Sequence, residues 1–192
     1  MALHTELWFP SVIWSGMLHD VDNASMKHYA YKRKNEDMGV TVSNYNGWQS
    51  GSLQLGDNEA IDNLVSILDK EIKNCAKQVG LADLEIYNMW ININPPHAYN
   101  HLHNHVGSVL SGVYYIDARE NQGNIQFERT DNAECFIPEY IDKITYFTST
   151  RATYAAKTGA LYIFPSWLKH SVEGNNTSTD RISISFNYGD KK

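Results

Sequence analysis

Three histidines, His101, His103 and His105, alternate within YNHLHNHVGSVLSGVYY, residues 99–115. In an extended strand, residues two apart project from one face. The spacing therefore predicts three imidazoles side by side. Imidazole is a good ligand for Fe, Zn, Cu and Ni. Two such ligands on a rigid strand grip a metal without completing its shell, so a further ligand must come from elsewhere. His170, in FPSWLKHSVEGN, stands in a second strand-like stretch and is the best candidate. Eleven residues further on, Arg181-Ile-Ser183 opens RISISFNYG. A cation and a hydroxyl on one strand face, beside a metal site, are suited to holding a small carboxylate. One histidine alone would read as a polar residue on a wet strand. The alternating set, the distal histidine and the Arg-x-Ser together favour a metal site.

The elements that must position these residues follow from hydrophobic period. Residues 7–14, LWFPSVIW, read as an edge strand or an extended arm, because a proline interrupts them. Residues 23–36 read as a helix capped by Asp22 or Asn23, with Met26, Tyr29 and Ala30 as a short apolar side. Residues 37–56 are rich in Gly, Asn and Ser and read as loop, with one short strand at 39–42. Tyr45 and Trp48 in that loop are candidates for covering a cleft, though packing is the commoner role. Residues 57–79 form the clearest helix. Ile61, Leu64, Val65, Leu68, Ile72, Ala76 and Val79 repeat at three and four, Asp57 is the expected cap and Gly80 the stop.

From residue 84 the period changes to two. Strands are expected at 84–94, 100–105, 109–117, 123–129, 145–148, 152–157, 160–164, 170–173 and 181–188. Many short strands with Gly, Asn and Pro punctuation predict a mainly β (α+β) fold, a jelly roll or double-stranded β-helix of cupin-like form. The expectation is a single domain over residues 1–192, with a helical part at 1–83 packed on one sheet of a jelly-roll core at 84–190. Such a fold brings early and late strands together at one mouth. It would set an HxH pair of the first strand, His170 and Arg181 around one interior.

Composition narrows the function classes. The formal charge is −6, and the only basic cluster is KHYAYKRK at residues 27–34, which reads as a solvated helix face. Nucleic acid is therefore not an expected partner. No apolar run is long enough to span a membrane and no signal-peptide pattern opens the chain, so no membrane partner is expected. The two cysteines are Cys75 and Cys135. Cys75 falls on the apolar side of a helix, so a core thiol in a reducing compartment is expected, in the cytoplasm of a cell or an infected host.

Four segments in order, HNHVGSVLSGVYYI, GNIQFE, LYIFPSWLKHSVEGN and DRISISFNY, together resemble the small 2-oxoglutarate/Fe(II) oxygenases of marine bacteria and cyanophages. LWFPSVIW resembles that family's opening. The resemblance covers roughly residues 90–188 and implies iron(II) as cofactor and 2-oxoglutarate as small-molecule co-substrate. It implies oxidative decarboxylation to succinate and CO2, coupled to hydroxylation of a substrate. The wider superfamily carries His-x-Asp/Glu, a distal His and Arg-x-Ser about ten residues on. This chain departs from it, because its facial triad should contain one carboxylate.

Three registers follow. In the first and preferred one, His103, His105 and His170 bind the metal, and His105 takes the carboxylate position. In the second, His101 and His103 form the pair. In the third, His105 comes first and Gly107 leaves a position free, as in related halogenases. Glu128 is an alternative carboxylate, though a strand-end surface pair is its ordinary role. Arg181 and Ser183 would hold the oxoacid, with Tyr115 and Asn92 as further candidates beside Asn94. Tyr114 should face the opposite way from Tyr115. Trp167 reads as a wall beside the distal His, and Ser111 and Gly112 as close sheet packing. Two other classes stay open: a three-His metal protein or dioxygenase that does not use 2-oxoglutarate, and a non-catalytic jelly-roll binding protein. The primary substrate, a metabolite or a peptide side chain, is not legible. Exposed edge strands make a homodimer an expectation.

Overall fold

A computed structural model describes residues 3–190. The chain opens with an extended arm that becomes β1, Trp14–Met17. Residues 7–13 are therefore arm, and only Trp14 of the expected edge-strand segment is paired. Helix α1, Asn23–Glu36, begins where the Asp22 carboxylate accepts the Ser25 N–H and buries Met26, Tyr29 and Ala30. The loop after it holds two short strands, β2 at Asn44–Tyr45 and β3 at Trp48–Gln49, rather than one at 39–42. Positive φ at Gly39 takes residues 39–42 out of strand geometry.

Helix α2, Glu59–Gln78, is capped by Asn58 and not by Asp57. The Asn58 side chain accepts from the Ile61 N–H at 3.1 Å. Gly80, with φ +73, ends the helix as expected, but Val79 sits at its cap and is partly exposed, outside the buried stripe. Cys75 is buried in that stripe, and both cysteines are free.

The remaining strands are β4 Leu84–Asn94, β5 Tyr99–His103, β6 Leu110–Asp117, β7 Ile125–Glu128, β8 Arg151–Tyr154, β9 Ala160–Pro165, β10 His170–Val172 and β11 Arg181–Asp190. Residues 145–148 are a turn, not a strand. The Thr148 hydroxyl accepts the Thr145 N–H and donates to the Lys143 carbonyl, which closes that turn. One sheet has the order β1-β9-β6-β11-β4-β3, the other β2-β5-β10-β7-β8. Every pairing is antiparallel. The result is a jelly roll with both helices on the outer face of the six-stranded sheet. The segment 1–83 is thus less helical than expected, since it supplies three strands to the two sheets.

Strand β11 shows how this architecture makes an interior. Ile182, Ile184, Phe186 and Tyr188 pack with Ile91, Ile93, Leu64 and Leu68 under the helices. Burying each such aliphatic or aromatic side chain contributes about 1.5–3 kcal/mol. The alternate residues, Arg181, Ser183, Ser185 and Asn187, face the space between the sheets. Gly112 on β6 lets the strands close, because a Cβ there would strike the Phe186 ring. Between the sheets, Tyr115, Ile125, Phe127, Phe164 and Leu168 form a second apolar cluster. Polar groups fill one side of that space.

Candidate metal centre

Three imidazoles meet at one mouth of the roll. His170, at the start of β10, lies opposite His103, at the end of β5. His105 lies beyond β5, in the loop that turns at Gly107, φ +88. Its N–H donates to the Ser166 carbonyl at 2.9 Å, which pins this loop to the β9–β10 turn. Ring centroids are 4.3 Å apart for His103 and His170, 5.0 Å for His105 and His170, and 5.2 Å for His103 and His105. One ring nitrogen from each lies within 4.8 Å of the other two. His101 is outside this group. It is exposed and packs edge-on against Tyr99 and Tyr45. The expectation of three imidazoles in a row on one strand is thus corrected: the strand stops at His103, and a loop delivers the third ring.

Hydrogen bonds orient all three rings the same way. Nδ1–H of His103 donates to the His101 carbonyl at 2.7 Å, and Nδ1–H of His170 to the Leu168 carbonyl at 3.0 Å. Nδ1–H of His105 donates to Asn187 Oδ1 at 2.5 Å. Each neutral ring then keeps its Nε2 lone pair for a common point. Ser43 Oγ contacts Nε2 of His103 at 3.4 Å. Burial lowers the pKa of all three, to about 4 for His105 and about 3 for His170. The neutral, ligating form is therefore favoured at neutral pH.

Asn187 was not anticipated as a site residue. It also accepts the Ser111 hydroxyl at 2.6 Å and donates to Asn88 Oδ1 at 2.8 Å. Ser111 bonds Ser166 as well, so it serves this network rather than sheet packing alone. The polar alternation of RISISFN placed Asn187 on the face of Arg181, and that was the available signal.

The cavity behind the histidines ends in a row of polar groups crossing three strands. Ser183 lies opposite Asn92 on one side and Tyr115 on the other. Asn94 lies opposite Arg181 and also lines the cavity. Arg181 is 1% exposed and donates from Nη1 to the carbonyls of Gln122, Gly123 and Glu173. It forms no ion pair among the described residues. Asp180 faces away and accepts the Tyr31 hydroxyl, while Glu128 pairs with Arg151 at 2.9 Å. Glu128 is therefore not the missing carboxylate ligand. Burial pulls the Arg181 pKa down, but a guanidinium stays charged. A buried cation without a carboxylate calls for an anion.

Several polar atoms beside Arg181 lack partners as well. Among the described residues, the hydroxyls of Tyr115 and Ser183 have no hydrogen-bond partner. Burial pushes the Tyr115 phenol up to about 12, so it remains a neutral donor. Asn92 Oδ1 is buried without a partner, while Nδ2 donates to Ser185 Oγ at 3.1 Å. Turned over, the amide would offer N–H to the cavity and accept from Ser185. These groups fit a small dicarboxylate, and three neutral imidazoles fit iron(II). Tyr114 faces the helices and donates to Asn23 at 2.9 Å. Trp48 is core, and Tyr45 stacks on Tyr99. Trp167 is half exposed beside the mouth.

The solved structures most like this one include a prolyl-4-hydroxylase from Pseudomonas putida, 14% identical, TM-score 0.65, covering 95% of this chain and 94% of that one. A prolyl hydroxylase from Trichoplax adhaerens, solved with a peptide fragment of the hypoxia inducible factor oxygen degradation domain, is 15% identical with TM-score 0.68. It covers 93% of this chain and 83% of its own. The epimerase SnoN of nogalamycin biosynthesis, solved with Fe3+, alpha ketoglutarate and nogalamycin RO, is 14% identical with TM-score 0.63, covering 94% and 79%. At these identities the likeness is one of fold. No curated protein matches the sequence. A family model described as "Putative 2OG-Fe(II) oxygenase" matches residues 88–187, β4 through β11 and more than half the chain. The chain belongs to this family of 2-oxoglutarate/Fe(II) oxygenases, whose cofactor is iron(II) and whose co-substrate is 2-oxoglutarate.

Proposed function

We propose that the chain is a non-haem Fe(II)- and 2-oxoglutarate-dependent dioxygenase, that His103, His105 and His170 hold the iron, and that Arg181, Ser183, Tyr115 and Asn92 hold the oxoacid. One observation carries this reading: three convergent imidazoles stand at one end of a cavity, and a buried arginine without a carboxylate partner stands at the other. When bound, iron(II) with 2-oxoglutarate and O2 supplies oxidative decarboxylation to succinate and CO2, with one oxygen atom placed on a substrate C–H bond. The chain's own residues position and shield. The Nε2 atoms ligate, and their Nδ1–H bonds keep the rings from turning. Arg181 neutralises the distal carboxylate, and the free hydroxyls and amide around it add neutral hydrogen bonds. Phe164, Trp90 and Val113 line the cavity and keep water out. One catalytic unit over residues 1–192 is part of the same proposal, with 1–83 as support and 84–190 as core.

Anaerobic titration with iron(II) and 2-oxoglutarate tests the reading. A metal-to-ligand charge-transfer band should appear only when both are present, and aerobic turnover should release succinate. A second reading is favoured by His105 at the carboxylate position. A neutral triad leaves the centre one unit more positive than the usual set. A three-His dioxygenase that ignores the oxoacid would bind iron, give no such band and release no succinate.

A further inference from the structure

Among the described residues, His105 alone lines both an inner cavity and an outer groove at the mouth. The inner one, running back to Arg181, has a volume of about 40 Å³. By the volume needed per water, that is room for roughly three waters. The outer one is a groove of about 650 Å³ beside the His105 loop, between the arm, the end of α2 and the turn before His170. That volume lies inside the range of roughly 300–1,000 Å³ typical of small-molecule sites.

The groove has a definite chemical character. Pro10 and Val12 of the arm, Leu81 after α2, Val106 beside His105, and Pro165 and Trp167 before His170 make its walls. Among the described residues, no Asp, Glu, Lys or Arg lines it. Besides His105 and the Trp14 indole, its polar side chains are the neutral Asn104 and Ser108. Val106, Leu81 and Trp167 are 92%, 40% and 51% exposed around one opening. Such grouping of large apolar side chains marks a binding surface. An ionised group placed there would lose water and gain no counterion. The backbone N–H groups of His105, Val109 and Ser166 are already bonded within the chain. His105 and Val109, two of the lining residues, therefore offer no free N–H on which a peptide strand would pair.

We propose that this groove is the primary-substrate site and that its occupant is a neutral, apolar small molecule, held against the His105 side of the metal. The proposal rests on the oxygenase reading above and narrows its substrate class. The inner cavity takes the co-substrate, and the groove excludes charged compounds by desolvation.

The test uses the full chain loaded with Co(II) and saturated with 2-oxoglutarate, with probe line widths followed by NMR. Indole and cyclohexanol are the neutral apolar probes. Benzoate and benzylammonium are the charged ones, and an acetyl-Ala-Pro-Gly amide is the peptide arm. Indole and cyclohexanol should broaden through proximity to the metal, at least fivefold more than the charged probes or the peptide. The Val106→Glu and Leu81→Glu variants should lose most of that broadening while still taking up Co(II). Val106 is almost fully exposed, so its replacement tests the groove without testing the core. Equal broadening by charged probes, stronger broadening by the peptide, or full broadening in both variants would overturn the proposal. Since broadening needs only the metal, failure of 2-oxoglutarate to bind would sink the oxygenase reading separately. Failure to bind Co(II) would sink both.

Discussion

His170 lies directly opposite His103 where β10 pairs with β5, and their ring centroids are 4.3 Å apart. Two residues distant in sequence thus become adjacent through backbone pairing, before any metal contributes. His105 joins them from a loop, and Asn187 aims it.

The His103→Ala and His170→Ala variants should abolish iron binding, and His105→Ala should weaken it strongly. His101→Ala should change it little, because that ring packs edge-on against Tyr99 outside the cluster. Metal content after reconstitution, with circular dichroism as the fold control, checks this. If His101→Ala proved the most damaging, the ligand set would be wrong.

Arg181→Ala should weaken 2-oxoglutarate binding by about ten- to a hundredfold, since a charged hydrogen bond is worth roughly 1.5–3 kcal/mol. Iron affinity should stay near that of the parent chain. The variant also leaves the Gln122, Gly123 and Glu173 carbonyls short of a donor, so its melting temperature should fall. Titration well below that temperature separates the two effects. A loss of iron affinity with oxoacid affinity intact would make Arg181 a structural residue only.

Asn187→Leu should lower iron affinity by roughly ten- to a hundredfold, the usual cost of losing a group that orients a ligating histidine. The His105 ring would keep its place in the loop but lose the acceptor that fixes its Nδ1–H. Asn187→Asp keeps an acceptor and should recover most of the loss. Iron dissociation constants for the two variants decide it. Equal loss in both would show that Asn187 acts through packing.

Stability of the metal-free chain should fall as pH drops below about 6.5, the ordinary histidine value. In the folded chain, burial holds His105 at about 4 and His170 at about 3. Between those values and 6.5 the unfolded chain binds the extra protons, so acid favours unfolding. Above 6.5 both states are neutral and this contribution is flat. Each fully transferred proton changes stability by about 1.4 kcal/mol per pH unit. Urea midpoints from pH 7.5 to 4.5 measure the slope. His170→Phe should flatten it, and an unchanged slope in that variant would place its cause elsewhere.

Sequence alone determined what depends on neighbours along the chain. The stripe from Ile61 to Ala76 makes a helix with one buried face whatever it packs against, because the period is 3.6. The polar alternation of Arg181, Ser183, Ser185 and Asn187 puts four polar groups on one face of β11, because the period of a strand is two. The spacing of the histidines and of Arg-x-Ser was enough to indicate a metal and an anion. Tertiary structure decided which groups meet. Alternation could not separate His101 from His103 and His105, since burial and hydrogen bonds across β5, β10 and β11 make that choice. Nor could it show that Arg181 lacks a carboxylate, because Glu128 is drawn off by Arg151 on the next strand. Gly123 illustrates the same limit: its φ of +92 reads as a turn, yet a Cβ there would meet Arg181 Nη1 and the Glu173 carbonyl. That constraint exists only after β7, β10 and β11 have come together, since long-range contacts leave no mark on local sequence pattern.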